Sequence, residues 1–572
     1  MALETFGIDL GTTYSVLACL DANGNPKIIQ NAAESKDTLA SAVYFPEGGD
    51  PVVGDQAKEF RDTEPDRVVE CAKRYIGRDG DKARKYKIDG HEYDPIEIST
   101  LYLKRIKAYA ADQGYTVENV VITCPAYFKD VQRAATRQAA ELAGMKVLNI
   151  VNEPTAAALA FCKDEYPENK RIMVYDLGGG TFDVSIIEFT KRQDNTAKVE
   201  VIDSMGNDEL GGRDWDSILH DIIAEKVAVE CGISKEDVDL NIDLKSQITS
   251  KCEETKIALT NMTSKKVLIR YEEEKVKVTI TREEFEERTK GKVQETMDFV
   301  TALLEKCNFT QDDIDLVLLV GGSTFMPMIP AAVKTIFPEG KVQSYEPNLA
   351  VAKGAAIAAK LQMEEIIRKV KQSQEEGKQI TETTTGLSEE TIEEIKNTDF
   401  GDEITKPGSV TLVEQKLTSS YGARVYNEFD NLIINNLLFK GGEPDSEGIG
   451  EYSTRRANQP RIVVHVYSND AEEGDIDIDD KGNQINPDPN YNIRHLGQLE
   501  LPLPEGTPKG SPISVTFRHK GIGLDVQAVN KVTKEHVEAF INFSSDGVKT
   551  KDEMKEAFEH IQNINTTHEI DE

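Results

Sequence analysis

Two strand–turn–strand units share one turn chemistry, Asp9-Leu10-Gly11-Thr12-Thr13 and Asp176-Leu177-Gly178-Gly179-Gly180-Thr181, and this echo constrains the chain more than any other feature. Apolar runs enter and leave both turns: Phe6–Leu10 and Tyr14–Leu20 at the first, Ile172–Leu177 and Phe182–Phe189 at the second. Glycine lets several backbone N–H groups crowd around a dense anion, and threonine adds hydroxyl donors. An aspartate ending each entering strand, Asp9 and Asp176, can hold magnesium or its waters. The G-x-x-x-x-G-K-[ST] spacing of the Walker phosphate loop is absent. One such turn would more often merely connect two strands. The repetition, with a third turn Gly321-Gly322-Ser323-Thr324 after the apolar run Ile314–Val320, predicts a binding place for a magnesium-bound polyphosphate.

At 572 residues the chain exceeds what one hydrophobic core supports. Its formal net charge of -34 repels nucleic acid and anionic lipid, and Lys265-Lys266 and Arg455-Arg456 are too short to make a basic patch. The amino-terminal residues lack the basic and apolar regions of a signal peptide, and the apolar runs are strand-sized. Seven scattered cysteines without C-x-x-C spacing indicate neither a disulfide framework nor a zinc site. The expectation is a cytoplasmic protein that binds neither nucleic acid nor membrane.

Up to Met363, strands alternate with helical patterns, as in α/β architectures. The segment Asp130–Ala143 reads as a helix with Asp130 as N-cap and Gly144 beyond its end. Residues 364–408 are Glu-, Lys- and Gln-rich and read as a charged helical connector. From 409 to 544 alternating apolar positions, such as Ile462, Val464 and Val466, predict an antiparallel sandwich. Residues 545–572 carry one short helical tail. The run Asp475-Ile476-Asp477-Ile478-Asp479-Asp480 lacks the glycine and glutamate of a calcium loop and reads as a solvated acidic hairpin.

The strings IDLGTTYS, VNEPTAAALA, DLGGGTFDVS and LVGGST resemble the nucleotide-binding domain of the 70-kDa heat-shock chaperone family, within the actin and hexokinase superfold. The resemblance implies an α/β actin-like two-lobed ATPase domain followed by a mainly-β sandwich domain, hydrolysing ATP to ADP and phosphate with Mg2+ and K+. It places Gly11, Thr12, Thr13, Tyr14, Gly178, Gly179, Gly180 and Thr181 on the phosphates, and Asp9 and Asp176 on the magnesium shell. Lys73 falls at the catalytic lysine; without the resemblance it is one lysine in a helix. Glu153, Asp183 and Thr181 match the residues that position water and monovalent cations. Pro125 and Arg133 match a relay of nucleotide state, although a proline ending a strand can be a simple turn former.

On the adenosine side Glu253 and Lys256 take the ribose-contacting positions beside Gly321, Gly322 and Ser323. Ile257 and Phe325 stand where the family carries two arginines around adenine, which removes the cation–π part of the contact and predicts altered affinity. Arg213 replaces a usual Glu, Asn348 a usual Asp, and the stretch from Lys85 to Pro95 is short, which bears on docking of a nucleotide exchange factor. The second half is similar to the family's peptide-binding sandwich through Asn431-Leu432-Ile433, Leu496-Gly497-Gln498-Leu499 and Gly521-Ile522-Gly523-Leu524. The usual apolar linker is reduced to Val410-Thr411-Leu412-Val413, and no full helical lid follows the sandwich.

The resemblance therefore implies an ATP-driven chaperone for unfolded or extended peptide segments, working with co-chaperones. Two rivals stay open: a nucleotide-switched scaffold whose β domain docks one dedicated partner, and a phosphotransferase on the same superfold. The second lacks an evident catalytic base facing a hydroxyl substrate.

Overall fold

The computed structural model describes residues 4–566 except 62, 79, 163–169, 192–196, 273, 377–386, 388, 399–409, 412–416, 443–445, 487–488, 520–522 and 544–546. The end of the expected connector at 399–408, Leu412-Val413 of the reduced linker and Gly521-Ile522 therefore lie outside the described residues.

The first lobe is built on β1 (Thr5–Asp9), β2 (Tyr14–Leu20), β3 (Pro26–Ile28), β4 (Asn119–Cys124) and β5 (Lys146–Asn152), ordered β5-β4-β1-β2-β3. Helices α1 (Pro95–Ala111), α2 (Asp130–Leu142) and α3 (Glu153–Phe161) accompany it. The second lobe repeats the plan with β6 (Lys170–Leu177), β7 (Phe182–Lys191), β8 (Ala197–Asn207), β9 (Leu316–Val320) and β10 (Val342–Ser344), ordered β10-β9-β6-β7-β8. In each lobe an antiparallel hairpin carries a Gly-Thr turn, and a parallel strand lies against its entering arm: β4 along β1, β9 along β6. Buried parallel strands ask for continuous apolar sequence, and Leu316–Val320 supplies it.

Helices α4 (Gly212–Cys231) and α5 (Ile242–Asn261) pack together in the second lobe, with Trp215 fully buried in its core. Helix α6 (Ala350–Glu375) crosses the first lobe. Its small residues let backbones touch: a Cβ on Gly354 would overlap the Ala156 carbonyl of α3, and one on Gly7 of β1 would overlap the Ala356 amide. Helix α7 (Glu389–Asn397) lies on α6, where Met363, Ile366, Val370, Ile392 and Ile395 form a small core inside the charged connector. Strand β11 (Val410–Thr411) then joins the second-lobe sheet, parallel to β8.

The β region comprises β12 (Ser420–Tyr426), β13 (Leu432–Leu438), β14 (Glu447–Ser453), β15 (Arg461–Asn469), β16 (Ile476–Asp477), β17 (Arg494–Pro502), β18 (Pro512–His519), β19 (Gly523–Asn530) and β20 (His536–Asn542). Two sheets, β16-β13-β12-β15-β17 and β14-β18-β19-β20, enclose a core that includes Val464, Val466, Leu501, Val515, Phe517 and Val526. The acidic hairpin is a tight turn in which Asp479 accepts from the Lys481 and Asn483 amides at 2.8 and 2.9 Å.

The sandwich rests on the first lobe. Tyr421 donates its hydroxyl to the buried Asp130 carboxylate, Lys129 pairs with Asp470 at 2.8 Å, and Val131 joins the sandwich core. This revises the expected cap of α2: Asp130 is the first helical residue and Lys129 the N-cap, because the carboxylate is engaged by Tyr421 rather than by the helix end. Helix α8 (Lys551–Gln562) lies on α1 and α2, with Ala557 and Ile561 buried in the first-lobe core. Lys549 enters it paired with Asp94 at 2.5 Å, and Lys104 holds the carbonyls of Ile561 and Ile564 at 2.6 and 2.7 Å. A cation on the last carbonyls of a helix also opposes its dipole favourably.

Candidate nucleotide and catalytic site

The two Gly-Thr turns face each other across the gap between the lobes. A Cβ on Gly179 would overlap the Thr13 hydroxyl, and one on Gly180 would press on the Thr12 methyl, so the second loop approaches the first only because it carries glycine. The Gly211-Gly212 pair packs in the same way, Gly211 on Gly180 and Gly212 on Ser323. The Gly178 carbonyl accepts from the Gly212 amide at 2.9 Å and from the Ser323 hydroxyl at 2.9 Å. Gly321 has φ 84°, and a Cβ there would strike the Leu177 carbonyl and Asp176. The three predicted turns thus converge, and α4 begins from them.

Below the loops lies a charged pocket. Lys73 and Glu153 form a buried pair at 2.6 Å, exposed by only 4% and 8%. Asp9 ends β1 and accepts from Thr123 of β4 at 3.2 Å; Asp176 is the penultimate residue of β6, and Asp183 pairs with it in register on β7. Burial and then the Glu153 charge push the Asp9 carboxyl up to about 7, against the pull of Lys73. Burial, followed by Glu153 and neighbouring aspartates, also raises Asp176 and Asp183. Burial works against the Lys73 ammonium, but Glu153 and Asp9 outweigh it and hold it charged.

Four carboxylates therefore surround one ammonium, with a buried Asp183 oxygen and the Thr13 hydroxyl unpartnered. That deficit of positive charge fits a divalent cation. Among the described residues no three His, Cys, Asp or Glu side chains form a preformed metal cage. Magnesium suits such a site, because it takes one or two carboxylates and completes its shell with phosphate oxygens and water.

Tyr14 turns its hydroxyl away from the loops to Glu253, at 3.0 Å, and Lys58 bonds to both, at 3.0 and 3.3 Å. Glu253 thus locks the second lobe to the first, and Lys256 is engaged by the Gly212 carbonyl and Asp216 at 2.9 and 2.8 Å. Ile257 and Phe325 are 58% and 47% exposed. Thr181 is half-buried at the end of the second loop. Gly11 turns so tightly that a Cβ would overlap the Tyr14 carbonyl, and Gly322 lies against Asn348. Pro125 opens a turn closed by the Phe128 amide at 3.1 Å, and Arg133 holds the Phe128 carbonyl at 3.0 Å.

Arg74 escaped the reading of the sequence. Its guanidinium donates twice to the Gly180 carbonyl, at 2.9 and 2.6 Å, tying the second loop to the first lobe. Its only signal was adjacency to Lys73. Arg213, the unusual residue after the Gly pair, is balanced by Glu70 at 3.3 Å, which also binds Arg61.

A family model described as "Hsp70 protein" matches residues 5–374. The chain belongs to the Hsp70 family. The actin-like ATPase lobes of that family account for the duplicated hairpins and the cleft between them, and the β-rich region follows. Proteins named "Chaperone protein DnaK" from Thermotoga neapolitana, Thermotoga petrophila and Thermotoga maritima are 39% identical to this Hsp70 family member over 363 residues. The match covers 62% of this chain and spans 58% of the length of those relatives. No helix among the described residues is long and apolar enough to cross a membrane.

Proposed function

We propose that this chain is an ATP-dependent molecular chaperone of the 70-kDa heat-shock type, coupling ATP binding and hydrolysis to the grip of its β domain on unfolded or extended polypeptide. The observation that carries the reading is the buried Lys73–Glu153 pair among Asp9, Asp176 and Asp183, directly beneath two facing Gly-Thr loops. The proposed division is a nucleotide-binding domain at 1–363, a connector at 364–408, a substrate domain at 409–544 and a tail at 545–572. Its proposed setting is the cytoplasm, with co-chaperones and an exchange factor as partners.

In this reading Gly11–Tyr14 and Gly178–Thr181 bind the phosphates through backbone amides and hydroxyls. Gly321, Gly322 and Ser323 line the adenosine side with Glu253 and Lys256, and Ile257 and Phe325 enclose the base. Magnesium, held by Asp9 and Asp176, would neutralise phosphate charge, with K+ in a supporting place. Glu153 orients Lys73, which offsets charge developing on the transferred phosphoryl group. Thr181 and Asp183 position the attacking water, and the unpartnered Asp183 oxygen is suited to take its proton. Lys73 lies 5.9 Å from the centre of the Phe128 ring, which begins a contact path through Arg133 and α2 to Asp130 and Tyr421. Pro125 shapes the turn at the head of that path.

Trp215, buried beside the Gly211-Gly212 turn, tests the reading. ATP should change its fluorescence, an apolar peptide should alter both that response and hydrolysis, and Asp176→Ala should abolish the ATP response. No ATP response in the wild type would sink the proposal; ATP response without any peptide effect would remove only the coupling. A dedicated scaffold is the second reading, favoured by α8, which lies on the first lobe rather than over the sandwich. A panel of unrelated unfolded peptides separates the two, since a chaperone binds many and a scaffold none.

A further inference from the structure

Two histidines meet on the five-stranded sheet of the β domain, away from the nucleotide cleft. His465 of β15 stands opposite Gln498, and one step along the ladder an irregularity between Val466 and Tyr467 brings Tyr467 opposite His495 of β17. Leu496 is the extra residue. Were Leu496 paired in a regular ladder, His495 would sit opposite Ser468 and on the other face; with Leu496 bulged out, His495 joins the face that carries His465. Irregularities of this kind re-aim single side chains, often at functional sites.

The result is His465 Nδ1 at 3.4 Å from His495 Nε2, with ring centres 5.5 Å apart and planes tilted by 53°. At 3.4 Å the two ring nitrogens are at the long end of hydrogen-bond reach. That separation matches the bite of two imidazoles on one tetrahedral ion. With metal–nitrogen bonds of about 2.0–2.1 Å, two ligands at the tetrahedral angle are about 3.3–3.4 Å apart. The Tyr467 ring meets the His495 ring nearly edge-on at 5.0 Å and limits its rotation.

We infer that His465 and His495 form a two-histidine site for a borderline divalent transition ion, of the class of Zn2+, Ni2+ or Cu2+, with water in the remaining positions. Imidazole selects this class, and the absence of carboxylate from the pair disfavours Mg2+ and Ca2+. Partial burial, and then the nearby Arg424, lower the proton affinity of both rings, which favours the neutral form that can ligate. Arg424 also repels an arriving cation and sets the site's affinity below that of a caged site. A bound ion would pin β15 to β17. The ends of these strands, through Asn469, Asp470, Arg494 and Leu496, line the ≈490 Å³ cavity between the sandwich and the first lobe.

Calorimetric titration of the full nucleotide-free chain with Ni2+ and Zn2+ tests the site, with Mg2+ as the control. One saturable event should disappear in His465→Gln, in His495→Gln and in the double variant, and persist in His536→Gln. Arg424→Gln should tighten that event several-fold, a gain no fold defect would imitate. Cu2+ bound to the wild type should give an electron paramagnetic resonance spectrum with two-nitrogen splitting, absent from the double variant. Equal stoichiometry in wild type and double variant, or no effect of Arg424→Gln on any binding event, overturns the inference.

Discussion

Lys73 and Glu153 share a pocket that water scarcely reaches, so removing either leaves a charge without its partner. Lys73→Met should lower kcat by about 10²–10³-fold, the scale of losing one preorganised charge at a transition state, while ATP still binds the loops. It should also destabilise the nucleotide-free protein by about 3–5 kcal/mol, since Glu153 loses its cation among three other carboxylates. Adding Glu153→Gln should restore most of that stability and none of the activity, a pattern read by thermal melts beside single-turnover hydrolysis. At the facing loops, Gly179→Ala drives a methyl into Thr13, at a cost of about 1–3 kcal/mol and with loss of ATP binding. Pairing it with Thr13→Gly should recover the melting temperature without recovering ATP affinity.

Among the elements, α8 has one contact with the first lobe that senses protons. The His560 ring stacks on His91 at 4.0 Å and lies within 3.4 Å of the Tyr93 hydroxyl; Glu97 is 3.6 Å from His91, and Lys549 sits between Asp94 and Glu97. Burial, then His91, lower the His560 pKa from its ordinary 6.5, with Glu97 acting the other way. The docked helix therefore binds fewer protons than the released one. Its docking is fully favourable above pH 6.5 and weakens as the pH falls below that value. Hydrogen-exchange protection factors across α8 should drop between pH 7.5 and 5.5, and His560→Gln should flatten the change. Unchanged protection in the wild type would contradict this account.

The same scale shows what the sequence discloses. The hairpins around Asp9 and Asp176 were legible because apolar strands and Gly-Thr turns are local properties, and the helix through Ala143 was legible up to Gly144, which has φ 73°. The docking of α8 was not legible. Met554, Ala557 and Ile561 announce an apolar face but not which surface covers it, because that depends on α1 and α2 more than 400 positions away. Asp130 failed as a cap for the same reason: the long-range partner Tyr421 took its carboxylate. Tyr14 and Lys256 likewise spend their polar ends on contacts, with Glu253 and with Asp216, that no local pattern encodes.

At the scale of the molecule, one buried hydrogen bond, Tyr421 to Asp130, joins the sandwich to the first lobe. Tyr421→Phe leaves that carboxylate without its donor at a cost of about 1–3 kcal/mol, paid only when the domains are docked. If the proposed coupling runs through this contact, peptide should then shift ATP affinity about 5–150-fold less than in the wild type, with basal hydrolysis preserved; peptide titrations at fixed ATP read the difference. By comparison, the half-exposed Lys129–Asp470 pair should contribute under about 1 kcal/mol, so Lys129→Ala should barely move the coupling.

Besides its seat on the first lobe through Tyr421 and Lys129, the β domain is tethered by the chain at both of its ends. Val410–Thr411 fastens the chain before it to the second lobe, and Lys549 with α8 fastens the chain after it to the first. It therefore spans the hinge as a strap spans a jaw. Opening the jaw must stretch the strap, slip the two-residue strand from its sheet edge, or lift the helix. The shorter mounting has two ladder positions and the longer a buried helical face, so under load the strand should let go first. The order in which nucleotide exchange frees the domain would then be a matter of mechanics, set by which anchorage bears less tension.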